Sequence, residues 1–219
     1  NWDSIKQHNY LSHIKYFDDV YSFDFYDSNK YEKINYLPLF YTRDIKDISR
    51  KPSNDNKILF IGTYSKFRRY EYIKKMIDYL NSSNISFTCY LQVRWTTYLR
   101  IIIEENFFLN PKYITFRNIN KKKYIKLFNN HKYILDVPNN EQTGLTMRTI
   151  EALGAQKIIL TSNKQITKEK IYDKNNVFLF NWDNLEELKK NISNRNSCFK
   201  YNDKIEKYFI KNWLKKIFY

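Results

Sequence analysis

The sequence predicts an α/β fold built on a doubly wound parallel sheet. Six short apolar runs, rich in β-branched and aromatic residues, lie between Lys57 and Phe180. Segments with a helical apolar period separate them, and this alternation is typical of a parallel sheet covered by helices. The clearest unit is strand, loop, helix and strand over residues 133–161. The predicted strands are 57–61, 85–93, 113–116, 133–137, 157–161 and 177–180.

The N-terminal part alternates in the same way and is separated from the rest by a polar stretch. We expect a helix over 5–16, a strand over 20–23, a short helix over 27–33 and an extended run over 36–41. Residues 44–56 are polar and contain Pro52 and Ser53, which favours a linker. The chain does not begin with methionine, and we expect an N-terminal portion to be missing.

Three segments follow from this pattern. They are an α/β segment over residues 1–43, a linker over 44–56, and a Rossmann-like domain over 57–219 with an amphipathic terminal helix. That helix, predicted over 203–218, has one apolar side and many lysines on the other. Such a helix either packs across the domain junction or lies on a membrane surface, and we favour packing.

Composition narrows the function classes. The net charge is +15, which by itself suits nucleic acid, an anionic nucleotide sugar or an anionic membrane surface. The lysines are spread over most predicted helices, so the charge does not select nucleic acid. No apolar run approaches the roughly 20 residues of a membrane helix. The two cysteines have no paired spacing, which predicts no zinc site.

The stretch 133–161 carries the candidate ligand site. Its loop follows a buried strand, and ligands of open parallel sheets bind at that end of the strands. Gly144 lets the backbone approach a ligand closely, and the unpaired N–H groups of the next helix suit phosphate. Thr146 or Thr143 can cap that helix. Glu151 can accept hydrogen bonds from sugar hydroxyls, or it merely pairs with Arg148 three residues earlier.

The run from Thr143 to Asn163 resembles the donor-site segment of GT-B glycosyltransferases, most closely a bacterial group linked to capsule and lipopolysaccharide assembly. Many such enzymes hold two glutamates eight positions apart, with a glycine after the first and Glu-Ala at the second. Glu151-Ala152 and Gly144 match this pattern, whereas Thr143 stands where the first glutamate would be. The resemblance implies that Glu151 binds the nucleotide ribose. The expected donor-binding residues here are Thr143, Gly144, Leu145, Thr146, Arg148 and Glu151.

A second candidate site lies after the first strand of the second domain. Gly62-Thr63 is followed by Arg68 and Arg69 at the start of the next helix. The same family carries Gly-Thr here, with an arginine before a tyrosine, and Arg69-Tyr70 matches it. We therefore add Gly62, Thr63 and Arg69 to the expected donor-binding residues, the alternative being a solvated basic first turn.

The resemblance implies a glycosyltransferase that moves a sugar from a nucleotide-sugar donor to a capsule or lipopolysaccharide glycan, free or lipid-linked. Residues 1–43 also resemble the last αβ units of the N-terminal Rossmann-like domain of that family, and the resemblance implies that they are the C-terminal part of this acceptor domain. No Asp-x-Asp triplet and no metal-ligand cluster occurs in the sequence, so we expect a metal-independent reaction without a cofactor. Helix dipoles and arginines would stabilise the diphosphate leaving group. No catalytic base is named, since this architecture usually places it in the N-terminal domain.

We expect a cytoplasmic protein, with peripheral contact at the inner face of an anionic plasma membrane as an open possibility, and no nucleic-acid partner. The alternatives from other classes are a basic nucleic-acid-binding protein and an inactive Rossmann module that retains only a partner surface.

Overall fold

A computed structural model describes residues 12–48, 57–65, 67–104, 106–138, 143–193 and 198–218. Most of the predicted helix over 5–16 and residues 49–56 of the predicted linker lie outside these ranges. None of the helices in the described part of the chain combines the length and apolar character that crossing a bilayer demands.

The N-terminal segment forms a small parallel sheet. Strand β1 (Val20–Ser22) leads into helix α1 (Phe25–Lys30) and then strand β2 (Ile34–Tyr36), which pairs with β1 in parallel. Asp24 caps α1 by accepting a hydrogen bond from the Tyr26 N–H at 2.9 Å. Helix α2 (Arg43–Ile48) follows, within the stretch predicted as a linker. Its Ile45 and Ile48 are buried in the core, and this packing outweighs the polar composition that suggested a linker.

The main sheet has six parallel strands, as predicted. Their spatial order is β5-β4-β3-β6-β7-β8. Strands β4 and β5 therefore lie on one side of β3, and β6, β7 and β8 lie on its other side. The strands are β3 (Ile58–Thr63), β4 (Phe87–Gln92), β5 (Ile114–Thr115), β6 (Tyr133–Asp136), β7 (Ile158–Thr161) and β8 (Val177–Leu179).

Helices cover both faces of this sheet. The alternation of strand side chains decides which helices meet which face: Ile58 and Phe60 enter one core cluster, and Leu59 enters the other. Burying a side chain of this size contributes roughly 1.5–3 kcal/mol, so the two clusters fix the register of every central strand. The remaining helices are α3 (Phe67–Ser82), α4 (Trp95–Glu104), α5 (Lys121–Asn129), α6 (Met147–Gly154), α7 (Glu186–Ser193) and α8 (Ile210–Phe218).

Helix α4 turns a different face inward from the one its sequence suggested. The helical spacing of Leu99, Ile102-Ile103 and Phe107 predicts that these side chains face inward, but Leu99 and Ile103 are 40% and 78% exposed, whereas Ile101 is fully buried. The apolar run Ile101–Ile103 offers no polar residue to mark the outer face, so packing against the sheet decides the rotation.

The C-terminal end packs back on the N-terminal segment. The predicted single helix over 203–218 is instead a 3-10 helix (Asp203–Tyr208) followed by α8, with Phe209 extended between them. The break arises because Tyr41 exchanges main-chain hydrogen bonds of 2.9 Å with Tyr208 and Ile210. The Trp213 indole N–H also donates to the Pro38 carbonyl at 2.6 Å. The N-terminal segment and the main sheet are therefore held together by backbone bonds as well as by side chains.

Candidate functional site

The start of α6 presents several backbone donors at the carboxyl end of β6. Thr146 is the N-cap, as predicted, and its hydroxyl accepts from the Thr149 N–H at 3.2 Å. The N–H groups of Thr146, Met147 and Arg148 have no acceptor among the described residues. They carry the partial positive charge of a helix start, which suits an anion. Leu145, also an expected donor-binding residue, turns its side chain into the core.

A buried aspartate fixes this helix start. Asp136 ends β6 and accepts hydrogen bonds from three hydroxyls: Thr146 at 2.8 Å, Thr149 at 3.2 Å and Thr161 at 3.1 Å. Burial raises the pKa of the Asp136 carboxyl, while Thr146, Thr161 and the charge of Arg69 act in the opposite direction. The carboxylate thus ties β6, β7 and the N-cap together, and α6 starts from a fixed point.

Glu151 lies about one turn from the start of α6 and is largely buried. Its Oε2 atom accepts from the Tyr124 hydroxyl and from Arg148 Nη1, the latter at 3.3 Å. Burial raises the pKa of Glu151, opposed by Arg148 and by the Tyr124 hydroxyl. Oε1 accepts no hydrogen bond from the described residues and remains available for a ligand hydroxyl. The pairing with Arg148 considered above is therefore present, and it uses only one oxygen.

Arg148 lies over the faces of Tyr124 and Phe128, with its guanidinium carbon 5.0 and 5.7 Å from the two ring centroids. Its Nη1 donates to the Tyr124 hydroxyl as well as to Glu151, whereas its buried Nε has no partner among the residues that the structure describes. The side chain is thus held flat beside Glu151 at the same helix start.

Arg69 joins two strand ends. Its Nε donates to the Val137 carbonyl at 3.0 Å, and its Nη1 to the Thr63 carbonyl at 2.9 Å. A Cβ added at Gly62 would lie 3.3 Å from Arg69 Nη2, so this glycine gives the guanidinium room. Burial lowers the pKa of Arg69, and the charge of Asp136 opposes that shift. The structure therefore gives Arg69 a scaffold role between β3 and β6, and the solvated basic turn considered above does not apply to this residue.

Hydrogen bonds from two side chains, Asp24 and Asn163, hold the loop before α6 from opposite sides. The N–H groups of Thr143 and Gly144 donate to Asp24 Oδ2 at 2.9 and 3.2 Å, and the Thr143 hydroxyl donates to Asp24 Oδ1. On the other side, Asn163 Nδ2 donates to the carbonyls of Thr143 and Gly144 at 3.3 and 3.2 Å. The Gly144 amide is thus already bound within the chain, contrary to the expectation that it would face a ligand. The N–H groups without an acceptor among the described residues begin at the next residue, Leu145.

Gly144 is required by a close approach. A Cβ added there would lie well under 3.0 Å from the Phe23 carbonyl oxygen and 3.0 Å from the Cα of Asp24. Any larger residue would push the N-terminal segment away from this loop.

A cavity of about 330 Å³ lies elsewhere, against β1 and β2. Its lining is mostly apolar and includes Phe17, Val20 and Ile34, but none of the expected donor-binding residues. We place the candidate site at the start of α6 because the free donors, the arginines and the accepting carboxylate converge there.

Sequence reasoning missed four residues of this arrangement: Asp24, Tyr124, Asp136 and Asn163. Asp136 was detectable, because it is the one carboxylate within an otherwise apolar strand. Tyr124 recurs with Leu127 and Phe128 on one apolar side of its helix, a pattern that predicts burial and no polar role. The contacts of Asp24 and Asn163 with the loop span 119 and 20 residues, and no local pattern reports such contacts.

A comparison with the models of known protein families finds no match. A search among curated proteins finds none either.

Comparison with solved structures does find similar folds. TarM of S. aureus, in complex with fondaparinux, α-GlcNAc-glycerol and UDP, has a TM-score of 0.60 and 14% identity over 94% of this chain and 44% of its own. A glycosyltransferase from Rickettsia africae has a TM-score of 0.58 and 14% identity, covering 94% and 65%. Anabaena HepE, in complex with UDP and glucose, has a TM-score of 0.60 and 11% identity, covering 99% and 67%.

The chain thus spans roughly half to two thirds of the length of these structures. At such low identity the likeness concerns the fold, which in this chain is a six-stranded parallel sheet covered by helices. The chain has the α/β fold of GT-B glycosyltransferases.

Proposed function

We propose that the protein is a glycosyltransferase and that the start of α6 binds the diphosphate of a nucleotide-sugar donor. One observation carries this proposal: three free backbone N–H groups, a neighbouring arginine and an accepting carboxylate are gathered at one helix start. The N–H groups of Thr146, Met147 and Arg148 complement the phosphate charge. Glu151 Oε1, one turn farther along, is suited to accept from a ribose hydroxyl.

The same groups would assist the reaction. When the glycosidic bond to the diphosphate breaks, negative charge builds up on the leaving group, and fixed dipoles aimed at that charge lower the barrier. Arg148 would add its positive charge, since its guanidinium is held beside the helix start. Arg69 would act indirectly by keeping the ends of β3 and β6 in place. We assign no catalytic base to the described residues.

The fold neighbours support the donor class, because the names of two of them record complexes with UDP. The finer proposal, a capsule or lipopolysaccharide glycan as acceptor, rests on the resemblance of the segment Thr143–Asn163. We also propose a cytoplasmic protein that can touch an anionic membrane surface through α8. The outer side of that helix carries Leu214 and Phe218, 39% and 71% exposed, among exposed lysines.

Nucleotide binding tests the proposal directly. A thermal-shift panel should compare UDP, GDP, CMP and ADP, each with its sugar conjugates. Ligand at a hundred times its dissociation constant adds about 2.7 kcal/mol. At this chain length the melting temperature should rise by roughly 2–4 °C per kcal/mol. We expect one base to stand out, and equal responses to all four would count against a specific donor pocket.

The variant Glu151→Gln tests the ribose contact while keeping the side-chain shape. In the wild type, removing the 2′ and 3′ hydroxyls of the ligand should weaken binding, whereas the variant should bind both ligands equally weakly. The matched control is Glu104→Gln on α4, whose exposed carboxylate pairs with Arg100 at 3.8 Å in a similar helical ion pair. It should leave all shifts unchanged.

Salt dependence separates this function from nucleic-acid binding. The affinity of a phosphate-backbone binder falls steeply with salt concentration. Binding at a single diphosphate site should depend on salt far less and should require Glu151. A wild type that binds no nucleotide would instead favour an inactive interaction module.

A further inference from the structure

The loop Thr143–Gly144 is held by a carboxylate that comes from the other sheet. Asp24 is fully buried and accepts from the Tyr26 and Thr143 N–H groups, both at 2.9 Å, and from Gly144 N–H at 3.2 Å. The Thr143 hydroxyl completes the set. These hydrogen bonds outweigh the effect of burial and hold the pKa of Asp24 below its usual range. The charged carboxylate is therefore the form that the fold binds.

Hydrogen bonds within the N-terminal segment hold the backbone of Asp24 in place. Its N–H donates to the Ser22 hydroxyl at 3.1 Å, and that hydroxyl donates to Asp27 Oδ2 at 2.9 Å. The carboxylate is thus attached to β1 and α1 through its backbone as well as through its cap on α1. A movement of the N-terminal segment would reach the loop through this side chain as well as through the packing of Phe23 against Gly144.

Asn163 forms hydrogen bonds with the same loop from the opposite side. It follows β7, and its Nδ2 donates to the same two residues through their carbonyls, while its Oδ1 accepts from the Gln165 N–H at 3.0 Å. Both hydrogen-bonding edges of the Thr143–Gly144 segment are therefore occupied. The N–H groups that follow, from Leu145 to Arg148, have no acceptor among the described residues. The direction of those donors depends on the orientation of the peptide that Asp24 and Asn163 hold.

Two roles are conceivable for a carboxylate on backbone N–H groups beside an anion site: it competes with the anion, or it positions the site. The geometry decides between them. Asp24 is fully buried, so a phosphate in solution cannot reach the place where its carboxylate lies. The amides that Asp24 takes are moreover distinct from those of Thr146, Met147 and Arg148, which have no acceptor among the described residues.

We infer that Asp24 is a positioning residue for the donor site: it couples the N-terminal segment to the loop before α6 and thereby aims the free N–H groups at the donor diphosphate. This inference rests on the proposed function. Asp24 touches no reacting atom. Its effect should appear in the affinity for the diphosphate and not in the affinity for the nucleoside, because the ribose contact of Glu151 lies on the helix body.

The test uses the isosteric variant Asp24→Asn. An amide group has one acceptor oxygen in place of two, so one of the loop donors would face an NH₂ group. Binding of UDP, GDP and ADP and of uridine, guanosine and adenosine should be measured by calorimetry. We expect diphosphate affinity to fall by roughly tenfold, since misplacement by 1 Å can weaken a positioned interaction by up to about a hundredfold. Nucleoside affinity should stay within about twofold of the wild type.

Two further variants keep the test decisive. Asn163→Ser removes the Nδ2 donors but keeps an oxygen for the Gln165 N–H, and it should lower diphosphate affinity selectively even if Asp24→Asn fails to fold. Glu169→Gln is the matched control. Glu169 also joins the N-terminal segment to the rest, by accepting from Tyr36 and from Tyr208, the latter at 2.7 Å, but it does not touch the loop. It should leave both affinities unchanged.

The outcomes are distinct. An unchanged ratio of diphosphate to nucleoside affinity in Asp24→Asn and Asn163→Ser would overturn the inference and leave the proposed function intact. Tighter diphosphate binding in Asp24→Asn would also overturn it, by showing that the carboxylate competes with phosphate. An equal loss in Glu169→Gln would assign the effect to general docking of the N-terminal segment, again against the inference. A wild type that binds none of these nucleotides would overturn the proposed function and this inference with it.

Discussion

The variant Gly144→Ala should strongly destabilise the protein, although it adds a single methyl group. The φ angle of Gly144 is not positive, so alanine can adopt its backbone conformation without strain. The effect therefore depends on contacts alone. The added Cβ would lie well under 3.0 Å from the Phe23 carbonyl oxygen, 2.9 Å from Phe23 Cδ2 and 3.0 Å from the Cα of Asp24. Two of these three neighbours are backbone atoms that cannot rotate away.

The magnitude follows from what must move. Overpacking of this kind costs about 1–3 kcal/mol. Displacing the segment Phe23–Asp24 also lengthens the charge-assisted hydrogen bonds from the loop to Asp24, each of which contributes about 1.5–3 kcal/mol. Partial loss of these bonds brings the expected destabilisation to about 3 kcal/mol, or a fall of roughly 6–12 °C in melting temperature.

Urea unfolding and thermal melts of the wild type, Gly144→Ala and Gly62→Ala provide the measurement. Gly62→Ala is the comparison variant, because the atoms nearest to its Cβ, in the buried Phe60 ring at 2.8 Å and at Arg69 Nη2 at 3.3 Å, all belong to side chains. We expect it to cost less than Gly144→Ala, about 1 kcal/mol, because no backbone segment has to move. A Gly144→Ala protein as stable as the control, or more stable than the wild type, would refute the close packing between the N-terminal segment and the loop.

Two other predictions concern lysines. Lys157 is buried and donates to the Asn129 carbonyl at 3.2 Å, and burial lowers the pKa of its ammonium from 10.5 to about 8. The unfolded chain binds more protons between these two values, so wild-type stability should rise with pH across that window. Lys157→Met should therefore stabilise at pH 7, by on the order of 1–2 kcal/mol after allowance for solvent screening, and the gain should shrink toward pH 10 in paired melts. On α8, the double change Lys215→Glu and Lys216→Glu should weaken sedimentation with vesicles containing phosphatidylglycerol, by roughly 1 kcal/mol for each lysine removed. Equal binding of wild type and variant, or equal binding to neutral vesicles, would contradict a membrane role for α8.

The strands and the helix start could be read from local chemistry. Runs of apolar residues predicted every strand of the main sheet, because burial on both faces leaves no place for polar residues. Thr146 was recognised as one of two caps for α6, since a hydroxyl before a helical period satisfies a backbone donor. The boundaries of the terminal helix were less predictable, because its break at Phe209 is imposed by the main chain of Tyr41, 168 residues earlier (209 − 41).

The amino-acid order by itself determined the α/β class, the strands of the sheet and the placement of Gly144, Arg148 and Glu151 around one helix start, because these depend on periods of a few residues. Only the tertiary structure decided which amides are free. Asp24 reaches the loop from a separate sheet and takes the N–H groups of Thr143 and Gly144, whereas those from Leu145 to Arg148 have no acceptor among the described residues. A hydrogen bond between residues so distant in sequence leaves no local pattern, and its partners can be identified only once the chain has folded.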